Sequence, residues 1–266
     1  MTSRNEADPR ITVDRDGHVL RIGLNRPEKR NAADFRLLNE LSLAYAELEN
    51  DPELRVGFVY AHGDHFTGGL DLADVGPRIG ADGLDITAGG GINPWQVSGV
   101  SLSKPVVVAV QGTCLTLGIE LMLSADIAVA AESARFGQIE VARGILPFGG
   151  ATLRFPRAVG WGNAMRWMLT GDLFDSAEAL RIGLVQEVVA DGEQYDRGLE
   201  LARRIAAQAP LAVQATLANA RLAVRESDAA AEAALQPELV RLAASEDAAI
   251  GMRAFVSRQP ADFVGR

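Results

Sequence analysis

The chain predicts a mixed α/β core followed by an all-helical C-terminal region. Three observations carry this. Apolar runs of strand length, "RVGFVYAHG", "PVVVAV" and "DIAVAA", recur with turn signals at their ends. The chain returns to such a run by way of a turn and a helical stretch, so a strand–turn–helix–strand unit repeats with an irregular period. From Gln194 onward the composition becomes Ala-, Leu- and Arg-rich with helical spacing. The expected division is an α/β core over residues 1–195 and a helical region over 196–266.

"RITVDRDGHVLRIGLN" reads as two short strands around the turn signal Asp16-Gly17. "NRPEKRNAA" is a polar loop. A helix follows, with Asp34 as its cap and Phe35, Leu38, Leu41, Tyr45 and Leu48 at helical spacing. "RVGFVYAHG" is a strand of the buried kind, and "GDHFTGGLDLADV" is a turn running into a helix. "GPRIGADGLDITAGGGINP" is glycine-rich and aperiodic, which predicts a mobile loop of the kind that borders binding sites. "PVVVAV" is a buried strand, "GTCLTLGIEL" turns the chain into a helix, and "DIAVAA" is the next strand. "SARFGQIEVARGILPFGGA" carries short extended pieces and turns, and a helix begins near Gly150. "SAEALRIGLVQEVV" is a helix and a strand. The tail then holds three to four helices, a type that often packs on a neighbouring subunit.

Composition narrows the function classes. The 266 residues are 48% hydrophobic and 23% charged, enough for a sizeable core. A net charge of −9 disfavours nucleic acid and anionic membrane surfaces. The single cysteine, Cys114, rules out an internal disulfide framework and fits a reducing compartment. "MTSRNEADPRITV" has no apolar stretch of the secretory kind. The apolar passage from Pro105 is too interrupted to span a bilayer. A soluble cytoplasmic protein is expected. His18, His62 and His65 form no triad or metal set, so no metal is expected.

Two glutamates stand out. Glu120 lies between Ile119 and Leu121-Met122-Leu123, and an unpaired buried carboxylate is costly. The positions three and four residues away hold Thr116, Leu117, Leu123 and Ser124, none of them basic, so any partner comes from elsewhere in the fold. Glu140 lies between Ile139 and Val141, and an ion pair with Arg143 is its simplest explanation. Two turns accompany them. Gly68-Gly69-Leu70 precedes a helix start at Asp71, and Thr116-Leu117-Gly118 precedes one at Ile119. Two helix-terminal N–H groups aimed at one point would make an oxyanion hole.

Taken together, these residues resemble the crotonase superfamily, the enoyl-CoA hydratase/isomerase family. "IGLNRPEKRNAA" is similar to its first signature and "HFTGGLDLADV" to its Phe-x-x-Gly-x-Asp turn. The long passage "KPVVVAVQGTCLTLGIELMLSADIAVAAESARFGQIEVARGILPFGGATLRFPRAVG" is similar to its central signature, and "LTGDLFDSAEALRIGLVQEVV" to the segment that follows. The resemblance implies a crotonase-like spiral of repeated ββα units with a C-terminal helical region. It also implies homotrimers, often paired into hexamers, acyl-CoA thioester substrates, and no cofactor beyond the CoA of the substrate.

Position by position, the resemblance places the oxyanion-hole N–H groups on Leu70 and Leu117 and the catalytic carboxylates on Glu120 and Glu140. In hydratases such a pair holds a water. One carboxylate activates it toward Cβ and the other helps deliver a proton to Cα. Arg26, Lys29 and Arg30 fall in the loop used near the CoA phosphates. Gly68, Gly69, Leu72 and Gly118 fall around the adenine, the pantetheine and the hole. Two positions depart from the family pattern: Thr116-Leu117-Gly118 stands where three glycines are usual, and Leu70 where alanine is common. The added apolar bulk would narrow the acyl pocket or disturb the turn. Three activities stay open: a hydratase, a Δ3-Δ2 enoyl-CoA isomerase using chiefly Glu140, and an acyl-CoA binder without turnover.

Overall fold

β1 (Ile11–Asp16) and β2 (Val19–Leu24) form an antiparallel hairpin, and β2 then pairs in parallel with β3 (Val56–Ala61). The sheet continues in parallel through β4 (Val106–Val110), β6 (Ile127–Ala131) and β9 (Glu187–Val189), giving the order β1-β2-β3-β4-β6-β9. A second, smaller sheet joins β5 (Thr113–Leu115), β7 (Arg135–Gly137) and β8 (Phe174–Asp175). The computed structural model describes residues 9–80, 83–87 and 89–266. Residues 1–8, where the N-terminal reading begins, and Ala81, Asp82 and Ala88 of the glycine-rich segment lie outside the described residues.

The central strands are apolar at successive positions because both faces of the large sheet are covered. One face packs on α1 (Phe35–Asn50) and α3 (Leu117–Ser124) through Leu38, Leu41, Val59, Val108 and Ile119. The other packs on α7 (Gln194–Ala206), where Phe58, Val107 and Ala109 meet Leu199, Ala202 and Ala206. The expected boundary at 195/196 therefore falls in the first turn of a helix that belongs to the core. The helices that leave the core are α8 (Pro210–Arg225), α9 (Asp228–Ala243) and α10 (Glu246–Ser257).

Capping follows the sequence where the chemistry is local. Asp34 accepts the N–H of Leu37 at 2.8 Å and starts α1 as expected. Asp71 precedes the single turn of α2 (Leu72–Val75). α3 begins at Leu117, two residues earlier than expected. The helix expected near Gly150 is two helices, α4 (Ala151–Val159) and α5 (Trp161–Thr170), separated at Gly160. α6 (Ser176–Ile182) and β9 follow as expected. The described part of the glycine-rich segment is not a free loop. Ile86, Ile92 and Trp95 insert into the core and pin it.

Candidate active site

α3 enters the site directly from β5, and its first residues supply unpaired N–H groups. The first N–H groups of any α-helix lack an intrahelical acceptor. Glu120 is the first residue here whose N–H returns to the preceding turn, on the Thr116 carbonyl at 3.1 Å. The N–H of Leu117 therefore points out of the helix end. Thr116 precedes it at φ 51, ψ −112, a left-handed backbone that favours glycine, and its side chain makes no capping bond. Holding threonine there costs about 1–3 kcal/mol, a strain stored at the edge of the site.

The Leu70 N–H is left free by strand geometry. Leu70 forms a parallel bridge with Ala33: the Ala33 N–H donates to the Gly69 carbonyl at 2.8 Å, and the Asp71 N–H donates to the Ala33 carbonyl at 2.9 Å. In such a bridge the N–H of the middle residue faces the opposite side. Thr67 bonds on that opposite side, to Thr113 and Leu115 around β5. Gly69 lets the two segments touch. It sits at φ 93, and a Cβ there would collide with Oγ1 of Thr116.

The other expected residues of these turns have plain structural positions. The Gly68 N–H donates to the Arg30 carbonyl at 2.8 Å, which fixes the polar loop beside the turn. Gly118 is buried where a Cβ would meet Thr67 and Cys114, and Leu72 is exposed at the start of α2. Arg26 departs from the expectation. It is buried, donates to Asp71 at 2.7 Å and to the Ala32 carbonyl, and lies 3.3 Å from Asp34. Its charge is spent on holding the loop. Lys29 and Arg30 are the exposed cations.

Glu120 is 1% exposed and Glu140 5% exposed. Glu120 Oε1 accepts the N–H of Ala151, the first residue of α4, at 3.0 Å. Burial pushes the Glu120 carboxyl up to about 7, against the pull of the Ala151 N–H, and the charge of nearby Glu140 adds to the rise. Burial likewise pushes Glu140 up to about 7, and its Oε2 has no hydrogen-bond partner. The simple ion pair with Arg143 is not formed; the Arg143 guanidinium donates to the Ala142 carbonyl instead. Two buried carboxyls poised near neutrality can divide acid and base roles between them.

Sequence reasoning missed Gly149 and Arg154 beside Glu120, and left Trp95 open between lining the acyl tunnel and anchoring the loop. Gly149 lies so close that a Cβ would be 2.6 Å from Oε2. Trp95 is 2% exposed and donates from Nε1 to the Leu117 carbonyl at 3.0 Å, so it anchors the loop to the turn that opens α3. Arg154 bonds the Gln96 and Gly149 carbonyls, and its charge favours ionised Glu120. The apolar flanks of Glu120 signalled a buried acid, but nothing local identified these partners.

Cys114 is buried with its thiol pushed up by burial and donating to Met122 Sδ, so it is packed and not a nucleophile. His65 Nδ1 accepts the Thr113 N–H, and His62 shares a hydrogen bond with Thr12. Among the described residues no helix is long and apolar enough to cross a membrane.

Two backbone N–H groups beside a pair of buried carboxyls, in an α/β fold with a helical tail, define an enzyme built to polarise a carbonyl while moving protons next to it. The chain matches the enoyl-CoA hydratase/isomerase family over residues 14–266, and it belongs to that family. It is 33% identical to enoyl-CoA hydratase EchA19 of Mycobacterium tuberculosis, with 98% of each chain covered. It is 34% identical to 2,3-dehydroadipyl-CoA hydratase of Escherichia coli K12, over 96% of this chain and 99% of the other. The crystal structure of a probable enoyl-CoA hydratase/isomerase from Mycobacterium abscessus superposes with a TM-score of 0.94 at 60% identity, covering 97% of this chain and 99% of that one.

Proposed function

We propose that the enzyme adds water across the double bond of a trans-2-enoyl-CoA. The observation that carries this is the pair Glu120 and Glu140, both buried, both poised near neutrality, and neither bound to a cation as an ion pair. The N–H groups of Leu70 and Leu117 receive the thioester oxygen. As negative charge grows there, they stabilise the enolate. Removing one such donor typically costs about 2.7–4 kcal/mol.

Glu120 is the base. The Ala151 N–H and Arg154 both favour its ionised form. It takes a proton from water as the hydroxyl adds to Cβ. Glu140 is the acid and passes a proton to Cα. One proton enters Glu120 and one leaves Glu140, so a proton exchange between them restores the starting state. No group beyond the CoA of the substrate is needed. Lys29 and Arg30 face the CoA phosphates, and Gly68, Gly69 and Leu72 face the adenine and pantetheine. The working unit is a homotrimer or a pair of trimers.

Loss of the conjugated absorbance of crotonyl-CoA and longer trans-2-enoyl-CoAs tests the reading. Turnover that collapses in both Glu120→Ala and Glu140→Ala supports it. A folded protein inactive across chain lengths overturns it. A Glu120→Ala variant that keeps full 3-enoyl to 2-enoyl isomerisation assigns the isomerase reaction in its place.

A further inference from the structure

Arg154 lies one turn into α4, and its guanidinium folds back over the start of that helix. Nη2 donates to the Gln96 carbonyl at 2.8 Å, and Nη1 makes a longer contact of 3.5 Å with the Gly149 carbonyl. The guanidinium covers Gly150, where a Cβ would collide with Nη1. Both acceptors belong to the surroundings of Glu120. A Cβ on Gly149 would meet Glu120 Oε2 on one side and Trp95 Cδ1 on the other, and Gln96 is the residue after Trp95. Ala151, two residues beyond Gly149, donates its N–H to Glu120 Oε1. One side chain therefore ties together the two backbone segments that wall the carboxylate.

The segment is also held at its far end. Arg221 donates to the Leu102 carbonyl and Arg225 to Ser101 Oγ, both from α8. Arg221 is paired with Asp126 at 3.1 Å, and Arg157 is exposed. Of these arginines, Arg154 is the one whose acceptors touch the Glu120 wall.

Holding two carbonyls does not by itself require a charge, and the charge of Arg154 is costly. The residue is half-buried, and burial opposes the charge most. Arg225, Arg221 and Arg157 oppose it as well, while Glu120 favours it. The relation is reciprocal. Burial drives the Glu120 carboxyl up, the Ala151 N–H pulls it down, and the charge of Glu140 adds to the rise. The Gly149 N–H and the charge of Arg154 pull it down further. Glu140 has no comparable cation: burial pushes its carboxyl up, and its own N–H pulls back. The two carboxyls are otherwise alike in type and burial, so Arg154 is a source of asymmetry between them.

We propose that Arg154 is a positioning residue for the reaction: it clamps the Gly149 and Gln96 backbone against Glu120, and its charge gives the base role to Glu120 in place of Glu140. This rests on the hydratase reading above.

The full-length protein is assayed for crotonyl-CoA hydration across the pH range in three variants. Arg154→Gln keeps an N–H donor and loses the charge, and Arg154→Lys keeps the charge and loses the planar fork. Arg157→Gln removes a like charge from the same helix. In Arg154→Gln the acidic limb of kcat/KM is expected to move up by about half a pH unit, less than the shift of one to three units in a direct ion pair. That is about a threefold loss on the acid side, with KM close to wild type. In Arg154→Lys the limb stays in place while kcat falls, because the clamp is loosened. In Arg157→Gln both are unchanged. A limb that stays put in Arg154→Gln overturns the proposal, and so does one that moves equally in Arg157→Gln, which is a general charge effect. Wild-type kcat in both Arg154 variants overturns the clamp.

Carbon-13 NMR of the glutamate carboxyls in the wild-type protein reads the same asymmetry without turnover and without requiring a variant of Arg154 to fold. Glu120→Gln and Glu140→Gln identify the two signals. The Glu120 signal is expected to change mainly in the lower of the two titration steps. The reverse order overturns the proposal, and with crotonyl-CoA turned over it leaves the hydratase reading intact. If the expected order holds but no trans-2-enoyl-CoA is hydrated, the hydratase reading fails and the pairing of Arg154 with Glu120 stands.

Discussion

Gly149 lies directly against the carboxylate of Glu120: a methyl group on its Cα would sit 2.6 Å from Oε2 and 3.0 Å from Trp95 Cδ1. The acid, the loop tryptophan and the backbone before α4 thus share one contact. Gly149→Ala must move Glu120 or Trp95. A displacement near 1 Å in a reacting group lowers kcat by about a hundredfold. The expected loss is in kcat with thermal stability close to wild type, measured by steady-state kinetics and calorimetry. Unchanged kcat would show that Glu120 tolerates the shift.

On the proposed mechanism the two glutamates set the pH dependence of the rate, and their burial sets that of stability. Turnover needs one carboxyl protonated and one ionised, and both lie near 7, so kcat/KM is expected to be bell-shaped around neutrality. For stability the sign runs the other way from a salt-bridged acid. Below about 4.5 the carboxyls are protonated in both folded and unfolded chains. Between 4.5 and about 7 the folded state holds protons that the unfolded state has released, so stability falls as pH rises through that window and levels off above it. Glu120→Gln is expected to flatten this slope in urea titrations taken from pH 4.5 to 8.

Trp95 holds the Leu117 carbonyl, one peptide beyond the Leu117 N–H that the proposed mechanism uses as an oxyanion donor, and so steadies that residue. Trp95→Phe keeps an aromatic ring but loses the N–H. The expected outcome is about fivefold lower kcat with little change in KM, since one net hydrogen bond is worth about 1 kcal/mol. A change confined to KM would assign Trp95 to the wall of the acyl pocket.

Gly69 and Thr116 occupy one space. Gly69→Ala introduces a side chain at φ 93 and a collision with Thr116 Oγ1, a destabilisation of about 1–3 kcal/mol together with a misplaced Leu70 N–H. Adding Thr116→Gly removes the collision and the strain at φ 51, so the double variant is expected to recover part of both losses. Denaturant midpoints and kcat for the two single variants and the pair check the coupling. Strictly additive losses would mean that the two residues act independently.

The apolar stripes on the last two helices call for a partner surface. Met252, Phe255 and Val256 on α10 and Leu235, Leu239 and Val240 on α9 are all more than half exposed in the isolated chain. A trimer covering them is the expected state in sedimentation. Phe255→Glu with Val256→Glu is expected to shift it to monomer, and a wild-type protein that sediments as a monomer would remove this role.

Much of the fold was legible because the signals are local. Asp34 caps α1 through a residue three positions away, and the apolar runs "VVVAV" and "IAVAA" are strands covered on both faces. Glu120 announced itself as an acid among apolar neighbours. Other features were not local. α7 has the composition of the helical tail but packs on Phe58 and Ala109, so it belongs to the core. Arg26 has the character of a phosphate ligand in sequence, yet Asp34 and Asp71 take up its charge.

The sequence by itself determined the α/β class, the helical tail, the family resemblance and the two unusual glutamates, because periodicity, capping and motif order act over a few residues. Only the tertiary structure decided what those glutamates meet. Ala151 reaches Glu120 across 31 residues and Trp95 reaches Leu117 across 22. Burial, not residue type, moves both carboxyls toward neutrality, and burial is a property of the packed chain.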